Sequence, residues 1–181
     1  LGAATPGLDT LQNMLSLNLK GKRVWDGIDE IKTRAQDGVD IEAANFMSYQ
    51  GANIDAILPK GLQVESDLSG GINSIGQQRL DRFSGKVANK GDGSVANNYS
   101  EATKQLVGES DGVIAYFDGD PGIGTKLALD TAKKKGIPTI SNPGPQELNE
   151  WAKLNTVFEP TVVGTRGSKI NKNPVGSRGT A

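Results

Sequence analysis

Asp111-Gly112-Val113-Ile114-Ala115-Tyr116-Phe117 is an apolar run bounded by turn-forming residues. A strand buried on both faces has this composition, and such strands belong to parallel sheets. Asp118-Gly119-Asp120-Pro121-Gly122-Ile123-Gly124 follows as a glycine-rich loop. Helical spacing then runs from Thr125 to Lys135, with Leu127, Ala128, Thr131 and Ala132 turned inward. Gly136 supplies a stop, and Ile137-Pro138-Thr139-Ile140 is the next strand. Strand, loop, helix and strand make a βαβ unit, whose crossover is right-handed. The predicted class is α/β, with 111–117 central in a mainly parallel sheet and helices on both faces.

Upstream, Leu8, Leu11, Leu15 and Leu19 recur at helical spacing within residues 1–20. A short strand is expected near 28–31. Asp40 suits the cap of a helix over 40–50, with Ile41, Ala44 and Met47 on one face and Gly51 just past its end. A strand over 54–58 stops at Pro59. Residues 60–98 read as loops, with a short helix near 77–83 and a lid-like stretch near 84–98. Asn97 or Ser100 opens a helix through Val107. Downstream, Asn142-Pro143-Gly144-Pro145 precedes a short helix over 146–154. Residues 160–181 hold Arg166, Lys169, Lys172 and Arg178 and no acid. The expected organisation is an N-terminal helical segment over 1–22, a main domain over 23–159 and a basic tail over 160–181 that is either a solvated arm or the source of a sheet strand.

The 181 residues suffice for one domain with a core. Apolar residues make up only 35%, and 24 glycines and 8 prolines imply many turns. Net charge is −1, so no global charge recruits nucleic acid or an anionic membrane. No apolar run approaches the roughly 20 residues of a membrane helix. The sequence begins Leu1-Gly2 without Met, as a processed chain or a piece of a longer one would. Cysteine and histidine are both absent. Disulfides, thiolate zinc sites, cysteine nucleophiles, histidine bases and histidine-ligated metals are thereby excluded. Any enzyme chemistry must use carboxylates, Lys, Tyr, Ser/Thr or an oxygen-bound cation. Lack of cysteine suits a reducing, cytoplasmic setting.

A loop between a buried strand and a helix lies at the strand's carboxyl end, where open α/β sheets bind ligands. The helix start offers unpaired N–H groups and partial positive charge, and glycines let a phosphate approach the backbone. Gly122 and Gly124 fit that use, and Thr125 adds a hydroxyl. The same glycines also fit a plain tight turn. The loop is neither a Walker pattern nor a clean G-x-G-x-x-G.

Asp111 to Gly119, Gly124-Thr125 and Ala132-Lys133-Lys134-Lys135-Gly136-Ile137-Pro138 together resemble the second half of SLOG-superfamily proteins. That group includes the LOG phosphoribohydrolases, the DNA-processing protein A family and small bacterial and phage proteins. Thr33-Arg34-Ala35-Gln36-Asp37-Gly38-Val39-Asp40 is similar to the group's "S-G-G-A-x-G-V-D" phosphate loop, with Thr33 and Arg34 in place of two glycines. The group's first strand ends in "V-G-S-R" and lies upstream; here Val162-Val163-Gly164-Thr165-Arg166 carries the pattern near the C-terminus, and Gly176-Ser177-Arg178 echoes it. Either the domain is circularly permuted or the echo is coincidence. The resemblance implies a Rossmann-like αβα fold and a nucleotide or other phosphate-bearing ligand. It implies ligand contacts from Arg34, Gly38, Asp40, Asp118, Gly119, Gly122, Gly124, Thr125 and Arg166.

LOG enzymes carry "P-G-G-x-G-T-x-x-E". The aligned position of that glutamate is Ala128, so phosphoribohydrolase activity by that route is not expected. Three readings stay open: a nucleotide-binding module; an enzyme acting on a nucleotide through Asp118, Asp120 or Glu42; and a structural or nucleic-acid-associated protein, in a phage for instance, that keeps a SLOG core. A nucleotide with Mg²⁺ held by Asp118 and Asp120 is the cofactor such a loop could take, although aspartates there also simply shape turns. Self-association into a homo-oligomer is also expected.

Overall fold

The computed structural model describes residues 27–36, 38–49, 51–57, 87–89 and 99–165. Within them run β1 (Glu30–Thr33), α1 (Val39–Tyr49), β2 (Asn53–Ala56), β3 (Val87–Asn89), α2 (Tyr99–Gly108), β4 (Val113–Tyr116), α3 (Gly122–Lys134), β5 (Thr139–Ser141), α4 (Pro145–Asn155) and β6 (Thr161–Gly164). The strands form one sheet in the order β3-β2-β1-β6-β4-β5. Every pairing in it is parallel.

β4 explains the layering. Its four residues are fully buried, and alternate side chains point to opposite faces. Val113 and Ala115 pack with Val163 of β6, Val107 of α2 and Ala128 and Ala132 of α3. Ile114 and Tyr116 pack with Val162, with Val39, Ile41, Ala44 and Met47 of α1, and with Leu148 of α4. Two helices therefore cover each face, as the apolar run predicts, which gives a three-layer α/β fold of the Rossmann-like type that the resemblance implies. β4 itself is interior, one place in from the edge strand β5; β1 and β6 hold the middle.

When β6 is counted first, β1, β2, β4 and β5 become second to fifth. The sheet then reads 3-2-1-4-5, the doubly wound order, with β3 added beyond the third strand. The chain is a circular permutation of that order, because the last described strand occupies the first strand's place. Thr161 to Gly164 pair with β4 through Val113 to Tyr116 and are fully buried, so the segment is a sheet strand and not a solvated arm.

Several boundaries differ from expectation. β1 starts at Glu30, two residues later than the stretch near 28–31, because Ile28 only leads into the sheet. α1 begins at Val39, and Asp40 sits in its first turn rather than at its cap. α3 begins at Gly122 rather than Thr125, and Gly122 itself has φ +81°, a turn into the helix that glycine adopts freely. Of the glycines assigned to a loop, Gly122 and Gly124 thus lie in the first helical turn, and Gly119 stays in the loop before it. Residues 87–89, expected within a lid-like loop, form the edge strand β3 beside β2. α3 ends as anticipated at Gly136, φ +72°. Ile137 N–H donates to Ala132 O and Gly136 N–H to Lys133 O, a Schellman closure. The helices expected over 1–20 and 77–83, Pro59, Asp37, Arg166 and the 175–179 echo lie outside the described residues.

Candidate ligand site at the carboxyl edge

Parallel pairing places the carboxyl ends of β1, β4, β5 and β6 on one edge of the sheet. The starts of α1 and α3 follow there, so the two stretches singled out in sequence share an edge. β6 ends in Gly164-Thr165. Thr165 N–H donates to Tyr116 O, and Val39 N–H donates to Thr165 O. An added Cβ on Gly164 would collide with the Tyr116 carbonyl and lie 2.7 Å from Val39 Cγ1. Only glycine lets β6 end this close to both β4 and α1.

Behind β1 the backbone turns sharply. Ala35, fully buried, has φ +57°, a region that costs a non-glycine residue about 1–2 kcal/mol. Thr33 Oγ1 accepts the Ala35 N–H at 3.0 Å and helps hold that turn. Arg34 is 1% exposed. Its Nε and Nη2 donate to the two oxygens of Asp40 at 2.9 and 3.0 Å, and Nη1 donates to Thr103 Oγ1 of α2 at 3.2 Å. A Cβ on Gly124 would stand 2.9 Å from Arg34 Nη1. Arg34, Asp40 and Gly124 are thus brought together, but as neighbours of one another.

The first turn of α1 is largely satisfied from within. Val39, Ile41 and Glu42 N–H donate to Thr165 O, Gln36 O and Gly38 O. Gly38 is half-buried at φ +104°, and the Glu42 side chain is exposed. At α3, Asp120 Oδ1 accepts the Gly122 N–H at 3.3 Å. Helix geometry leaves the next N–H groups, of Ile123 and Gly124, without an acceptor in the helix. Asp118, Gly119 and Asp120 are exposed, Thr125 is buried, and Ile123 is 86% exposed beside them. Among the described residues no group of three or more acidic side chains is placed to hold a metal ion. Ala128 is fully buried between α3 and the sheet.

Two residues that sequence reading passed over also shape this edge. Asn142, after β5, adopts φ +53°; its side-chain oxygen accepts Phe117 N–H at 2.8 Å and its N–H donates to Ala115 O at 2.7 Å. It clamps the start of the 117–121 loop, and the Asn-Pro dipeptide was a visible turn signal. Thr103 reaches Arg34 from α2 across 69 positions, and nothing local in the sequence marks it.

No family model matches the chain, and no curated protein does. Among solved structures, a protein from Syntrophus aciditrophicus, provisionally named as a molybdenum carrier protein, superposes with a TM-score of 0.58. It is 17% identical, and the match covers 85% of this chain and 91% of that one. The E-1-hydroxy-2-methyl-but-2-enyl-4-diphosphate reductase of Plasmodium falciparum matches at 10% identity over 92% of this chain and 59% of its own, with a TM-score of 0.30, too low to bear on the site. The chain is therefore similar to the Syntrophus protein in fold: a parallel sheet between helical layers, of Rossmann-like type.

Proposed function

We propose that this chain is a ligand-binding module of the SLOG type, which takes a phosphate-bearing small molecule, a nucleotide first of all, at the carboxyl edge between β6 and β4. The observation that carries this reading is the place where the strand order reverses. In doubly wound sheets ligands bind outside the strand ends at that point, and here it is bordered by Gly164, Thr165, the 117–121 loop and the first turn of α3. The N–H groups of Ile123 and Gly124, with the helix dipole behind them, are suited to an anion. α1, with three first-turn donors already bonded, is the lesser contributor. Arg34 and Asp40 neutralise each other and support the edge from below.

Binding without hydrolysis is the expected behaviour. The position aligned with the LOG glutamate is Ala128, sealed in the core, and release of free base from nucleoside monophosphates is not anticipated. The fold likeness adds molybdate as a second probe, a tetrahedral oxyanion that suits the same donors. Mass spectrometry of small molecules released on denaturation would name the ligand class.

The direct test uses Ile123, exposed at the helix start. Ile123→Glu places a carboxylate beside the anion, while a first-turn acid suits the helix itself. Adenosine monophosphate or molybdate should bind roughly fivefold more weakly, from about 1 kcal/mol of like-charge repulsion. Ile123→Lys should bind more tightly, and Ile123→Glu should not melt earlier than the wild type without ligand. Equal affinities in both variants by calorimetry, or no binding by the wild type, would overturn the proposal.

A further inference from the structure

A buried arginine at a binding edge invites the reading that it holds the ligand, but the geometry points elsewhere. The Arg34 guanidinium meets Asp40 of α1 through two parallel hydrogen bonds, Thr103 of α2 through a third, and lies against Gly124 of α3. One side chain, 1% exposed, thus touches helices from both faces of the sheet. Both partner carboxylate oxygens are used, and both residues are removed from solvent. Such a pair is a poor device for stability, since well-packed apolar residues of similar size do as well or better. Its bidentate fork does fix distance and angle, which a flexible apolar contact does not.

We propose that Arg34 is a positioning residue for the ligand site. With Asp40 it forms a brace that sets where the first turn of α3 stands, and with it the N–H groups of Ile123 and Gly124. The brace rests on the binding reading above. It also bears on Gly124: a side chain there would come within 2.9 Å of the guanidinium and displace it from the brace.

The test compares the wild type with Arg34→Met/Asp40→Leu, which removes both charges together and leaves neither stranded. The readouts are thermal melting and calorimetric titration with adenosine monophosphate and with molybdate. The double variant should melt at or above the wild-type temperature and yet bind roughly 10-fold or more weakly, the scale on which supporting residues act. Wild-type affinity in a folded double variant overturns the inference and leaves the binding reading intact. Absence of binding by the wild type overturns both. Arg34→Lys keeps the charge but loses the fork, and serves where the double variant does not fold. Amide exchange over 126–129, the first hydrogen-bonded amides of α3, should then quicken, without change in the β4 and β6 amides, and affinity should fall. Unaltered exchange and affinity in Arg34→Lys also overturn the inference.

Discussion

Gly164 shows how a single absent side chain sets the geometry of an edge. Its Cα lies against a backbone carbonyl, which cannot rotate away, so Gly164→Ala must push β6 from β4 or α1 from both. A loss of about 3 kcal/mol is expected, typical of overpacking at a rigid contact, and urea unfolding would measure it. Lys32 is a second buried constraint, on the opposite face of β1 from Ile31. It is 5% exposed and donates to Glu30 Oε2 at 2.9 Å and Asp55 Oδ2 at 3.2 Å. Burial by itself lowers the Lys32 pKa, but the hydrogen bonds and attraction of the two carboxylates outweigh it, and the pKa is raised above 10.5. A folded value above the unfolded one stabilises fully below about pH 10.5, and this contribution is lost as pH rises through the folded value. Alkaline melting curves should show that loss, and Lys32→Met should flatten it. At neutral pH the same variant should cost about 3 kcal/mol, because Glu30 and Asp55 are left without their cation.

Helix ends differ in how well their residues suit them. α3 closes on Gly136, the residue a left-handed closure favours. α4 closes on Thr156, which has φ +56° and ψ +51° with its N–H on Lys153 O, while Val157 N–H donates to Ala152 O. A β-branched residue is strained there, so Thr156→Gly should raise stability by about 1 kcal/mol; an unchanged or lower melting temperature would contradict this. The same contrast explains which elements could be read in advance. α3 and β4 were legible because a long periodic helix and an apolar run each carry their own signal. β3 was not: Val87–Asn89 is three residues long, and it is a strand because β2 offers it a pairing edge. The start of α1 was misplaced by one residue because Asp40 resembles a cap, while its carboxylate is drawn instead to Arg34.

At the scale of the molecule, β6 joins two halves of the sheet whose strands would otherwise not pair. β1, β2 and β3 lie on one side of it and β4 and β5 on the other. Truncation after Pro160 removes that strand, so it should abolish cooperative unfolding altogether; a truncated chain with the wild-type melting temperature would refute this. The same experiment asks whether the segment from 160 onward belongs to the main domain or is an appended tail.

What the sequence by itself determined is local. The buried run at 113–116, the turn residues after it, the periodic helix and its glycine stop each follow from patterns within a few turns of chain, and they suffice for a parallel α/β sheet. The absence of cysteine and histidine likewise bounded the chemistry without any coordinates. Tertiary structure alone decided the rest, because it turns on distance between residues far apart in sequence. The Val-Val-Gly run at 162–164 could have been arm or strand until β1 and β4 were seen to leave a gap of one strand between them. Arg34 and Asp40 suit a ligand contact or a buried ion pair equally well in sequence, since both use the same residue types. Only the structure shows the two paired with each other, at 2.9 and 3.0 Å.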